Sequence, residues 1–188
     1  MKERQDMCVE NKQLYRKLSI YLDMGQSIAI VDAADEEHKE IITSFQNDVV
    51  NSQETVYIDF KTVSSPCSLA KKIVNQCLNI ISGNRKMGIS EDTDMDYDDY
   101  YYLEKVLLLL QRASEEISKN IVFICDNFTE ILGLEKGKQM QEYMRSVFQH
   151  QDICFIFRCS SRLELNKIFM DPSAPFFRFA SIIDPATE

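Results

Sequence analysis

The amino-acid sequence predicts an α/β domain, a three-layer α/β/α arrangement with a mainly parallel, five-stranded sheet. Three observations carry this expectation. Short apolar runs alternate with stretches of helical periodicity along the chain, the pattern of strands joined by right-handed helical crossovers. Two of the runs, "NIVFICDNF" and "DICFIFRCSS", are apolar almost without interruption, as parallel strands buried on both faces must be. Helix starts are marked by capping residues at the right offsets from those runs.

The elements follow in order. From about Cys8 to Asp23, Leu14, Leu18, Tyr21 and Leu22 recur at helical spacing, and Gly25 is placed to end that helix. Ser27 to Val31 is a short buried strand. Ile41, Ile42, Phe45 and Val49 form one stripe of a helix from Glu36 to about Val50. "TVYIDF", Thr55 to Phe60, is β-branched and aromatic, hence a second strand. Ser65 before Pro66 reads as an N-cap with proline at the first helical position, and Leu69, Ile73, Cys77 and Ile80 then share a face. A polar connection spans 82–99, and a long helix to about Lys119 turns Leu103, Val106, Leu107, Leu110, Ala113 and Ile117 inward. After the strand at "NIVFICDNF" comes a helix from about Lys138 to His150, then the strand at "DICFIFRCSS". Ser161 and Glu164 form a capping-box pattern opening a helix to Met170. "FFRFASII", Phe176 to Ile183, reads as the last strand. Residues 1–188 are expected to form one domain, with 1–25 as its leading helix.

Composition narrows the function. At 188 residues the chain is long enough for a full core, with 45% hydrophobic and 27% charged residues. A net charge of −9 without a basic stripe argues against direct binding to nucleic acid or anionic membrane, since phosphate contacts need clustered cations. No segment reads as a signal peptide or membrane span, and the six cysteines form no CxxC pair, which fits a reduced, cytoplasmic setting. With two histidines, zinc-ligand spacing is absent and nucleophilic catalysis has no supporting constellation, so no catalytic residue is expected. Asp92, Asp94, Asp96 and Asp98 alternate as in a calcium loop, but Tyr97 replaces the required glycine and Leu103 the closing glutamate. The segment 91–102, acidic and rich in tyrosine, is better suited to a protein partner, a basic one being the natural candidate.

"LDMGQSIAIV", "NIVFICDNF" and "ICFIFRCSSRLELNKIFMDPSAPFF", in that order and spacing, resemble the P-loop ATPase domain of the AAA-like and STAND-like archaeal ATPase group. The resemblance implies a strand order of 5-1-4-3-2, with the strand at Ser27 central. It also implies a phosphate loop after that strand, a Mg²⁺-binding aspartate at Asp126 followed by a catalytic glutamate, and a sensor residue near Ser160. The chemistry departs at each place. A phosphate loop needs glycines whose amides close round the phosphates, a lysine, and a hydroxyl for Mg²⁺. Glu37, His38 and Lys39 stand where Gly-Lys-Thr is expected, and sliding the register by one does not repair the match. Asp32, Asp35, Glu36 and Glu37 surround that position, and two like charges about 4 Å apart repel by about 4 kcal/mol at an effective dielectric near 20. Carboxylates at the helix start satisfy the dipole that a phosphate would otherwise satisfy. The residue after Asp126 is Asn127, an amide that cannot take a proton. Arg145, Arg158 and Arg162 are finger candidates by analogy, with pairing to the excess acid as the default.

The expected function is therefore a non-catalytic, ATPase-like interaction or regulatory scaffold. Glu37, His38, Lys39, Asp126, Asn127 and Ser160 are its vestigial site, with no cofactor and no metal. The alternative is a weak or nucleotide-gated ATPase with ATP and Mg²⁺ at Asp126, in a DNA-related or signalling assembly.

Overall fold

The computed structural model describes residues 9–32, 36–81, 103–110, 121–151 and 153–185. Helix α1 (Val9–Asp23) leads into strand β1 (Ile28–Val31), and α2 (Glu36–Ser52) into β2 (Glu54–Asp59). Helix α3 (Pro66–Ile81) and the helical residues 103–110, α4, precede β3 (Ile121–Asp126). A 3-10 helix (Phe128–Gly133), α5 (Gly137–Phe148), β4 (Cys154–Cys159), α6 (Arg162–Phe169) and β5 (Ser181–Ile183) complete the order.

All four strand pairings are parallel, and the sheet order is β2-β3-β4-β1-β5. This is the expected 5-1-4-3-2 order read from the other edge. The middle place belongs to β4, not to the strand at Ser27, which lies between β4 and the β5 edge. The last strand is also shorter than its composition suggests. Phe176 to Phe179 form turns, with Arg178 at φ +54° and its amide bonded to the Phe169 carbonyl at 3.0 Å, and only Ser181–Ile183 pairs with β1. The aromatic residues before it are there to plug a core, not to extend a ladder.

Alternation along the strands divides that core in two, because successive side chains point to opposite faces. Ala29, Val56, Ile58, Phe123, Phe155 and Phe157 meet α3, α4, α5 and α6 on one face. Phe148 stacks on Phe155 at 4.1 Å between ring centroids, and Phe128 and Phe176 meet edge to face at 5.5 Å, the geometry aromatic quadrupoles favour. On the other face Ile28, Ile30, Ile124 and Ile156 meet Leu14 and Leu18 of α1 and Ile41, Ile42, Phe45 and Val49 of α2. Buried residues in α1, α2 and α4 fall on the predicted stripes, and in α3 Leu69, Ile73 and Cys77 do, with Ala70 and Val74 buried beside them and Ile80 only partly buried; Ala113, Ile117 and the segment 91–102 lie outside the described residues, as does the loop 33–35. No helix among the described residues is long and apolar enough to cross a membrane.

Caps set the helix ends. Ser65 accepts from the Ser68 amide at 3.1 Å, with Pro66 first in α3 as the sequence requires. At the end of α1, the Gln26 amide reaches the Tyr21 carbonyl at 2.9 Å and the Gly25 amide the Leu22 carbonyl at 3.0 Å, a Schellman pair with Gly25 at φ +66°. Gly25→Ala meets no neighbour but places a Cβ at positive φ, so it is expected to lower stability by about 1 kcal/mol. A Cβ at Gly137 would stand 1.9 Å from the Ile131 carbonyl oxygen, so Gly137→Ala must displace backbone and is expected to cost more than Gly25→Ala. Urea unfolding of the two variants orders them; equal losses would contradict the close approach at Gly137.

Candidate functional site

The carboxyl ends of the strands carry a polar row on the α2 face of an otherwise apolar sheet. Tyr57 of β2, Asp126 of β3 and Arg158 of β4 share the parity of Ile124 and Ile156, so the pleat directs them to that face; Asp32 follows β1 there. The Arg158 guanidinium lies at the middle of the row. Its Nη2 and Nε donate to Asp32 Oδ1 at 2.9 and 3.2 Å. Its Nη1 donates to Gln46 Oε1 of α2 at 2.8 Å and lies 3.3 Å from Asp126 Oδ1.

Asp126 is 8% exposed, and both of its oxygens are engaged. Oδ1 takes the Arg158 contact and the Asn127 amide at 3.0 Å, while Oδ2 accepts the Tyr57 hydroxyl proton in a short hydrogen bond. Asn127 turns away from the row. It sits in the left-handed region at φ 50°, which asparagine tolerates, and its Nδ2 donates to Asp59 Oδ1 at 2.9 Å. The same Asp59 oxygen caps the short 3-10 turn through the Lys61 amide at 3.0 Å.

Ser160 belongs to a separate chain of hydroxyls. It donates to Glu164 Oε2 at 2.9 Å, so its contact with Thr129 at 2.7 Å is one in which Thr129 donates, each hydroxyl having one proton. Ser161 also donates to Glu164 Oε2 at 3.0 Å and accepts the Glu164 amide at 3.3 Å, which realises the predicted cap of α6. At the start of α2, Glu36 and Glu37 lie in the first turn and Lys39 pairs with Glu36 at 2.7 Å on the exposed surface.

Of the six residues singled out in the sequence, the structure brings Asp126 and Asn127 side by side, and joins Ser160 to Thr129 and Glu164. Glu37, His38 and Lys39 lie on the first turns of α2. The sequence reading missed Tyr57, Asp59 and Gln46, and read Arg158 as a surface residue. The signal was present: Arg158 is the one charge in the apolar run "CFIFRC", and its parity with Ile156 directs it into the sheet face. Arg162 does pair at the surface, with Asp184 at 3.2 Å, and Arg145 lies over the Phe179 ring at 4.6 Å.

Electrostatics follow from this packing. Burial, the hydrogen bond to Asp126 and the negative charges of Asp126 and Asp59 push the Tyr57 hydroxyl up to about 12, against a smaller opposing effect of Arg158. Burial also raises Cys77 to about 12 and Cys154 to about 11, and holds Cys125 and Cys159 well above the usual thiol range, so these four remain protonated and unreactive at neutral pH. Among the described residues no group of three or more acids, histidines or cysteines is arranged to hold a metal ion. Asp32 and Asp126 share the Arg158 guanidinium, whose single positive charge offsets one of their two negative charges.

Two measurements check this geometry. A tyrosine that holds its proton more tightly when folded contributes stability that is complete below pH 10 and lost as the pH rises toward 12. Tyr57→Phe is therefore expected to remove that component of the loss between pH 10 and 12; an unchanged pH profile would contradict the Tyr57–Asp126 bond. A thiol reagent applied to a Cys8→Ser background is expected to modify Cys67, the half-buried cysteine, at once, and the other four only on unfolding. Rapid loss of more than one thiol in the native state would contradict the packing.

No protein-family model matches the chain, and no curated protein matches it. Solved structures do. The Cdc6p of Pyrobaculum aerophilum superposes with a TM-score of 0.60 at 13% identity, over 95% of this chain and 46% of that one. The Aeropyrum pernix ORC2 protein, solved as ADPNP-ADP complexes, gives 0.59 at 12% identity over 96% and 48%. The Drosophila ORC bound to AT-rich DNA and Cdc6 gives 0.53 at 14% identity over 94% and 54%. This chain spans about half the length of each of these three chains. At such identities the likeness is one of fold: five parallel strands in the order β2-β3-β4-β1-β5 between two helical layers, a P-loop-NTPase-like domain.

Proposed function

We propose that this chain is an ATPase-like domain that has given up nucleotide chemistry and works as a protein-interaction or regulatory scaffold. One observation carries the reading: Asp126, at the strand end where the fold resemblance puts a Mg²⁺ ligand, has both oxygens occupied by groups of its own chain. A metal ion entering there must displace a guanidinium held by two carboxylates and an amide. On this reading Glu37, His38, Lys39, Asp126, Asn127 and Ser160 are the remains of a phosphate and sensor site. The degenerate loop supports it, since Glu37-His38-Lys39 offers neither glycine freedom nor a Mg²⁺ hydroxyl. Asn127, its amide spent on Asp59, cannot serve as a base.

Residues 1–188 are read as one domain in a cytoplasmic setting, with the acidic segment 91–102 offered to a basic protein partner. A second reading, a weak or nucleotide-gated ATP-binding protein in a DNA-related or signalling assembly, is favoured by the neighbours solved with ADPNP and ADP and with DNA. The net charge of −9 weighs against direct DNA binding.

Thermal unfolding in increasing Mg²⁺-ATP and Mg²⁺-ADP separates the two. A ligand at a hundred times its dissociation constant adds about 2.7 kcal/mol. The scaffold reading expects no shift at millimolar nucleotide; a saturable rise in melting temperature would establish the second reading in its place.

A further inference from the structure

A second feature lies along the β5 side of the sheet, from the amino ends of β1 and β5 to the start of α6. Three concavities of about 510, 500 and 410 Å³ adjoin one another there. The first runs along α1; the second lies against the β5 edge and shares Gln26 with the first; the third lies on α6 and shares Met170 with the second. The shared residues link them into a surface that runs from α1 past the β5 edge to α6, a groove in three parts.

The lining has two unusual properties. Ile20 and Met24 of α1 are 46% and 63% exposed, and Leu163 and Met170, seven residues apart on one face of α6 and its cap, are 68% and 52% exposed. Exposed large apolar side chains lining adjoining concavities mark an interaction surface, and methionine adapts to more than one partner shape. The charges are the reverse of the chain's. Arg16, Lys17, Arg162, Lys167 and Arg178 line the groove against one acid, Asp171, whereas the whole chain has 21 basic and 30 acidic residues. Asp171 keeps its charge, its carboxylate accepting the Ser173 amide and hydroxyl, both at 2.8 Å, and Arg162 is paired with Asp184; five cations against these two acids still leave a positive excess.

We infer that this groove receives an acidic amphipathic segment of a partner protein, its apolar side chains seated on Ile20, Met24, Leu163 and Met170 and its carboxylates facing the lining cations. A nucleic acid would use the cations but leave the aliphatic floor without a partner, because phosphates gain nothing from Met and Leu. Cationic rims also explain why a strongly acidic protein would attract an acidic ligand at this place: charge complementarity is local, falling off within about 10 Å at ordinary salt.

The inference deepens the scaffold reading by adding an acidic partner segment, at a surface distinct from the segment 91–102 offered to a basic one, and rests on that reading only to this extent. The test is fluorescence anisotropy with a labelled synthetic peptide carrying Glu and Leu at helical spacing, a second peptide with Lys in place of Glu, and labelled duplex DNA. The Glu peptide is expected to bind, more weakly as salt rises, and the other two not. Met24→Glu and Met170→Glu, on exposed side chains that leave the melting temperature unchanged, are each expected to weaken binding about tenfold or more. Lys167→Glu is expected to weaken it as well and to reduce the salt dependence. Tighter binding of DNA or of the Lys peptide, no binding of the Glu peptide, or indifference to all three substitutions would overturn the inference. Each arm is repeated with Mg²⁺-ATP: a gain in stability with peptide binding intact would end the scaffold reading and leave the groove standing.

Discussion

A guanidinium placed on the face of a parallel sheet must be compensated there or the strand that carries it cannot be buried. Arg158 is such a group, and the surrounding structure is arranged around its needs. Asp32 answers from the end of β1, Asp126 from the end of β3 and Gln46 from the helix that covers both. These three elements are joined at one point that neither apolar packing nor the ladder hydrogen bonds would fix by themselves. Asp126, once drawn to Arg158, takes the Tyr57 hydroxyl on its other oxygen, which extends the row to β2. Four neighbouring strands are thus tied by side chains across their carboxyl ends as well as by backbone.

The two faces of the sheet do different work. Phenylalanines fill one, with Phe123, Phe128, Phe148, Phe155, Phe157, Phe169 and Phe176 clustered against one another. The other face is aliphatic for most of its depth and polar at one end. That asymmetry puts any chemistry at the carboxyl ends beside α2, where open α/β sheets ordinarily place a ligand. Here the Arg158 guanidinium occupies the middle of the row.

Most of the fold was legible in the chain because burial leaves a periodic trace. The stripe Ile41, Ile42, Phe45, Val49 and the unbroken runs at β3 and β4 could be assigned from spacing alone. Phe176 to Phe179 misled for a physical reason: aromatic residues suit strands and core-plugging turns equally, and the turn is set by Arg178 at positive φ, which composition does not show. The middle place of β4 came from topology, which no local pattern encodes. At the site, Asp126 and Asn127 stood out because they end an apolar strand. Their partners Tyr57 and Asp59, and Gln46 beside Arg158, are distant in sequence and ordinary in type, so only the three-dimensional arrangement brings them together.

The central claim is that Arg158 is the counter-ion of Asp126, held within the chain. A double-mutant cycle with Arg158→Ala and Asp126→Ala, read by urea unfolding at neutral pH, addresses it directly. The account predicts that Arg158→Ala is strongly destabilising because it leaves Asp32 and Asp126 without their shared cation, that Asp126→Ala costs less because Asp32 and Gln46 still hold Arg158, and that the pair is coupled by about 1–3 kcal/mol. Additivity within about 0.5 kcal/mol would show that the two groups do not depend on one another, and would contradict the account.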